Sequence, residues 1–106
     1  MIVGKWARAF NTGDVEALLA QYHPNAILVP TLSSKILTNQ HTRLRYFTDL
    51  LVNKRATVEV TNYIMLGGVE SGFYVFRLAD GTTVQARFTI SPYLGKIGTH
   101  HSSVVP

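Results

Sequence analysis

The stretch WARAFNTGDVEALLAQYHPNAILVP, residues 6–30, reads as two helices followed by a strand. Val3, Trp6, Ala7 and Phe10 recur at helical spacing, so one face of the first helix is apolar. Residues 11–14, Asn-Thr-Gly-Asp, then interrupt it. Gly13 can adopt the left-handed conformation that stops a helix. Asp14 can cap the next helix by accepting backbone N–H bonds. Leu18, Leu19 and Tyr22 form the apolar face of that second helix. Pro24 ends it, because proline disfavours helical backbone in the residue before it. Residues 26–29 predict a short strand, closed by Pro30.

Working outward, residues 30–34 read as loop and residues 35–37 as a second short strand. Thr38 is placed to cap a third helix, with Leu44, Phe47, Leu50 and Leu51 on its apolar face. Arg43, Arg45 and Asp49 fall on its wetter sides. From Thr57 the period changes. Residues 57–66, 71–78, 82–91 and 96–104 predict four strands. Gly67-Gly68, Asp80-Gly81 and residues 92–95 separate them with turn chemistry. Connections this short favour an antiparallel meander. The element order predicts an α+β fold, and no repeat or linker divides residues 1–106, so one domain is expected.

The strands are apolar on both faces. In residues 71–78, Tyr74, Phe76 and Leu78 alternate with Phe73 and Val75. In residues 57–66, Val58, Val60, Ile64 and Leu66 alternate with Tyr63 and Met65. An antiparallel sheet with one solvated face should alternate apolar with polar residues. Helices can cover only one face, so the other calls for a partner, most simply a second copy of the same sheet.

Composition narrows the function. Hydrophobic residues make up 46% of the chain and charged residues 15%, which is globular with a rather apolar surface. The net charge of +4 comes from ten scattered bases against six acids. Without a basic run, nucleic acid is not an expected partner. No cysteine is present, which removes disulfides, thiol catalysis and thiolate metal sites. No apolar run approaches the roughly 20 residues of a membrane span, and nothing resembles a signal peptide. A cytoplasmic protein without membrane attachment is expected.

Residues 6–30 are similar to the opening of nuclear-transport-factor-2-like, SnoaL-like domains. The shared pattern is an aromatic helix, a Gly-Asp break, Ala-Leu on the next helix, a tyrosine, a polar-proline pair and a strand ending in proline. RYFTDLL, residues 45–51, and HHSSVVP, residues 100–106, are most similar to one branch. That branch holds the association domain of calcium/calmodulin-dependent protein kinase II and small bacterial relatives. The resemblance covers nearly the whole chain. It implies a cone, the cystatin-like roll, in which a curved antiparallel sheet wraps the N-terminal helices and leaves a pocket between them. It also implies dimers through the outer sheet face. Three features depart from the pattern, one being that the stretch from Gly95 to His101 is a little shorter than in the kinase branch. Relatives carry about two more helical turns before the position of Trp6, and Ile97 stands where the kinase branch has tryptophan.

Four constellations could carry chemistry. His100 and His101 are adjacent in a strand and point to opposite faces, so they cannot share one metal ion. His23 and His41 have no ligand spacing, so neither a metal nor a cofactor is expected. His101 and Ser103 share a face but lie about 7 Å apart along the strand, too far for a nucleophile and its base. One histidine is expected to face the pocket and the other the partner; the resemblance assigns the pocket to His101. Both could equally be strand histidines with satisfied hydrogen bonds.

Arg87 lies mid-strand in TVQARFTI, residues 83–90. A guanidinium is costly to bury without an acceptor and is well built for a carboxylate. The resemblance faces it into the pocket; otherwise it is a rim arginine reaching water. Trp6, Tyr22 and Tyr63 would supply the pocket's shape. In ketosteroid isomerases of this fold the base is an aspartate at the position of Val29, and the oxyanion-binding tyrosine corresponds to Trp6. Valine moves no proton, so an aspartate-based isomerase is disfavoured. A histidine base, His101 or His23, stays open.

The expectation is a homodimeric domain binding a small organic ligand, one bearing an anionic group, such as a carboxylate, or a carbonyl group. Arg87 would hold the ligand, and His101 would orient it or act as the catalytic group. The alternative is a non-catalytic association module.

Overall fold

A computed structural model describes all 106 residues. Helix α1 spans Ile2–Asn11 and buries Val3, Trp6 and Phe10, the predicted apolar face. Gly13 follows it with φ +75°, the left-handed residue that closes a helix. Asp14 caps α2 (Val15–Leu19), accepting from the Ala17 N–H at 3.2 Å. That helix is shorter than expected. Tyr22 already belongs to strand β1 (Tyr22–Val29), which therefore starts four residues before the predicted strand.

The segment at 35–37 is not a strand but a single bridge, Leu37 to Leu28. Helix α3 spans Gln40–Thr48 and is capped by Asn39 rather than Thr38. The Asn39 carboxamide accepts from the Thr42 N–H at 2.9 Å. A wider π-type turn, Asp49–Asn53, extends α3 and buries Leu50 and Leu51.

Strands β2 (Thr57–Leu66), β3 (Val69–Arg77), β4 (Thr83–Tyr93) and β5 (Lys96–Val104) form the predicted antiparallel meander. Strand β1 joins its end, parallel to β5, giving the order β1-β5-β4-β3-β2. The helices pack on one face. There Tyr74, Phe76, Ala86, Phe88 and Ile90 meet Val3, Trp6, Phe10, Leu18, Phe47 and Leu50.

Two polar side chains fasten this layer. The Glu70 carboxylate of β3 accepts from the N–H groups of Ile2 (2.7 Å) and Val3 (2.9 Å), closing the N-terminus of α1 from across the fold. Arg43 corrects the reading that placed it toward water: it is fully buried. Its guanidinium donates to the carbonyls of Ala26 (2.7 Å), Pro24 (2.9 Å) and His23 (3.2 Å). The register of β1 against β5 is broken between Tyr22 and Ile27. Carbonyls outside a ladder need other donors, and Arg43 supplies them.

A bulge between Val60 and Asn62 reverses the alternation of β2. Val58 and Val60 face the helices opposite Phe76 and Tyr74. Beyond the bulge, Ile64 pairs with Ser71 and joins the outer face with Phe73 and Val75. Ile64 and Val60 therefore do not share a face as strict alternation predicts.

Candidate functional site

Polar chemistry gathers in two places, one on each side of the sheet. The first lies under α1. Trp6 Nε1–H donates to the Tyr22 hydroxyl at 2.8 Å, and that hydroxyl lies 2.8 Å from His100 Nδ1. On the other side of the imidazole, Nε2 lies 3.1 Å from the Tyr74 hydroxyl, which donates to Ser102 Oγ at 2.6 Å. The Ser102 hydroxyl meets that of Thr31. Tyr74 has one proton, and Ser102 takes it. His100 Nε2 must therefore carry a hydrogen and donate to Tyr74, leaving Nδ1 to accept from Tyr22. The imidazole is neutral with a single tautomer. Burial, with the nearby His101 charge second, pushes its pKa down to about 3. Burial likewise raises the Tyr22 and Tyr74 hydroxyls.

This network fills the space between helices and sheet. The residual cavity is about 10 Å³, lined by Trp6, Pro30, Thr31, Phe47, Tyr74 and His100. That is at most the room for one water. The histidine turned inward is His100, not His101 as expected. The register Ile90–His100 places it on the apolar face of β4.

The second place is a groove of about 430 Å³ on the outer face, crossing β2 to β5. It holds Arg87, His101 and Tyr63, with Phe73, Ser71 and Ser103 between them. Arg87 sits between Phe73 on β3 and Ser103 on β5. The ion pairs of the protein are Lys54–Asp49 and Arg77–Glu59, so no carboxylate neutralises Arg87. Both Arg87 and His101 are exposed.

The sequence-predicted site residues thus divide. Arg87 and His101 converge on the outer groove; Tyr63 lines it from β2, but its pairing with Gly72 turns its side chain to the other face, and Trp6 and Tyr22 are buried across the sheet with His100. One pocket does not contain all five. Sequence reasoning missed Tyr74, Ser102 and Thr31 as partners of the inward histidine. The alternation that separates His100 and Ser102 from His101 was visible; which pair turned inward depended on register against β4. No group of three or more His, Asp or Glu side chains is placed to hold a metal ion. No helix is long and apolar enough to cross a membrane.

The architecture is the nuclear-transport-factor-2-like, cystatin-like fold. Neither a protein-family model nor a curated protein matches the sequence. Among solved structures, the chain is similar to a protein from Xanthomonas campestris described as a calcium/calmodulin dependent protein kinase II association domain. The two share 27% identity over 98% of this chain and 83% of that one, with a TM-score of 0.81. The epoxide hydrolase/cyclase-like enzyme SalBIII, of pyran ring formation in the polyether salinomycin, shares the fold. Its TM-score is 0.86 at 18% identity, over 98% of this chain and 88% of that one. A protein of ketosteroid isomerase-like fold from Catenulispora acidiphila, in complex with trimethylamine, superposes with a TM-score of 0.79. It is 16% identical over 95% of this chain and 82% of that one.

Proposed function

We propose that this chain is a small-ligand-binding domain that pairs with a second copy through its outer sheet face. It would hold a small organic carboxylate in the groove at Arg87. The observation that carries this reading is a guanidinium in mid-sheet with no carboxylate partner, beside a histidine, in a groove of about 430 Å³. Arg87 offers two parallel N–H donors to a carboxylate. His101 orients the ligand or moves a proton, and Phe73 gives the groove its shape. Trp6 and Tyr22 hold the interior rather than the ligand. That SalBIII is an enzyme of ring formation and that another relative holds trimethylamine supports small organic molecules as partners of this fold. Covering the groove with a second protomer would lower the local dielectric and strengthen the ion pair.

A thermal-shift panel of small carboxylates, with trimethylamine as the opposite charge, tests the reading. A carboxylate raises the melting temperature, and Arg87→Ala removes the rise. No rise with any carboxylate, or a rise that survives Arg87→Ala, overturns it.

A second reading, a non-catalytic association module, is favoured by the apolar side chains left open on the outer face. Ile27, Ile64 and Phe73 are 45%, 75% and 37% exposed. The carboxylate panel separates the two: an Arg87-dependent rise fits the first reading, and an assembled protein that responds to no carboxylate fits the second.

A further inference from the structure

A sheet edge presents unpaired N–H and C=O groups to any extended chain. This sheet has two edges, β1 and β2. Strand β1 is closed at Leu28, whose N–H and C=O pair with Leu37 at 2.9 and 2.8 Å. The first half of β2 is closed by a side chain. The Asn11 carboxamide accepts from the Val58 N–H at 2.7 Å and donates to the Val58 carbonyl at 2.8 Å, as a paired strand residue would. Beyond the bulge nothing equivalent covers the edge. No backbone hydrogen bond from outside the sheet reaches residues 60–66.

The turn determines which groups face outward. Gly67 and Gly68, with φ of +59° and +82°, join the paired residues Leu66 and Val69. Such a two-residue turn is flanked by a hydrogen-bonded pair. Alternation then makes Ile64–Ser71 and Asn62–Phe73 the next bonded pairs. Tyr63 and Met65 therefore turn their N–H and C=O groups to the open edge. Beyond the bulge, the protection that charged residues and proline give an edge is missing. From Val60 to Val69 there is no charged residue and no proline. Ile64, Met65 and Leu66 are 75%, 52% and 86% exposed.

We propose that residues 62–66 form an edge-to-edge interface with a second copy of this chain. The strands run antiparallel about a two-fold axis at Ile64, and Tyr63 of each copy bonds Met65 of the other. A second copy is the fitting occupant because the segment is complementary to itself. Reversal about Ile64 sets Ile64 against Ile64 and Tyr63 against Met65, with Asn62 opposite Leu66 at the two ends, matches two donors with two acceptors on each side, and opposes no like charges. This interface uses the edge, not the outer face, and does not rest on the carboxylate reading. Two different two-fold interfaces on one protomer propagate into a ring or a chain rather than stopping at a dimer.

Amide hydrogen exchange on the wild-type protein, dilute and concentrated, tests the pairing without any variant. The Tyr63 and Met65 amides slow by about tenfold or more on concentration; equal, fast exchange at both concentrations overturns the proposal. Two variants test the geometry. Met65→Pro removes an outward N–H, a change that edge strands accept. It should abolish the association while keeping the far-ultraviolet spectrum and the Arg87-dependent carboxylate response. Ile64→Cys supplies the chain's only cysteine, and oxidation should yield a disulfide-linked dimer. A cross-link that survives Met65→Pro comes from face pairing and overturns the edge geometry. Loss of the carboxylate response in Arg87→Ala leaves the exchange result unchanged, so failure of one reading is separable from failure of the other.

Discussion

The Tyr22 hydroxyl lies 2.8 Å from His100 Nδ1, with both side chains buried. The contact joins the start of the first strand to the middle of the last. It also consumes the polar groups that could have faced a ligand between helices and sheet. The space between helices and sheet, where the resemblance implied a pocket, is here occupied by a satisfied network.

The neutrality of His100 makes stability depend on acid. Its folded pKa is about 3, below the ordinary 6.5, so the unfolded chain binds the proton more readily between those values. The contribution is fully present above pH 6.5 and is lost as pH falls toward 3, by at most about 1.4 kcal/mol per pH unit. Urea denaturation at pH 7, 5 and 4 should show the advantage of wild type over His100→Gln shrinking with acidity. A constant difference would contradict the buried neutral imidazole.

Tyr22→Phe leaves Trp6 Nε1–H and His100 Nδ1 without partners. Each buried orphan costs about 1–3 kcal/mol, so the variant should be destabilised by at least that much while its fold is kept. A chemical-denaturation midpoint unchanged from wild type would show that water replaces the hydroxyl.

Gly72→Ala should destabilise the sheet. A Cβ at this position would lie 2.0 Å from the Asn62 carbonyl oxygen and 2.7 Å from Tyr63 Cα. Both are backbone atoms of the bulged strand and cannot rotate away. Overpacking of this kind costs about 1–3 kcal/mol or more, readable as a lower melting temperature. Unchanged melting would mean that the bulge relaxes freely.

Arg43→Lys should cost about 2 kcal/mol or more, because an ammonium cannot span carbonyls on three residues as the planar guanidinium does. Exchange protection should fall at the start of β1 and persist in β3 and β4. Uniform loss would instead point to global destabilisation.

Arg87→Ala should leave the free protein within about 0.5 kcal/mol of wild type, since an exposed, unpaired side chain carries little stability. A larger loss, measured by denaturant titration, would mean that Arg87 holds the sheet rather than a ligand.

The sequence by itself determined the element order, apart from the strand expected at 35–37, together with the meander and the helix–break–helix opening. These follow from local spacing: apolar residues at 3.6 or 2, Gly13 and Asp14 at the break, Gly67-Gly68 at the turn. It also separated His100 from His101. What only the tertiary structure decided was register and depth. The bulge after Val60 put Ile64 on the face opposite Val60, and no local signal marks it. The pairing of Ile90 with His100 turned that histidine inward and sent His101 outward with Arg87. Arg43 went inside because β1 left three carbonyls outside its ladder, a need created by another segment 17 to 20 residues away. Periodicity is a property of one strand, but which face is buried depends on how strands are shifted against each other. A shift of one residue reverses every side chain.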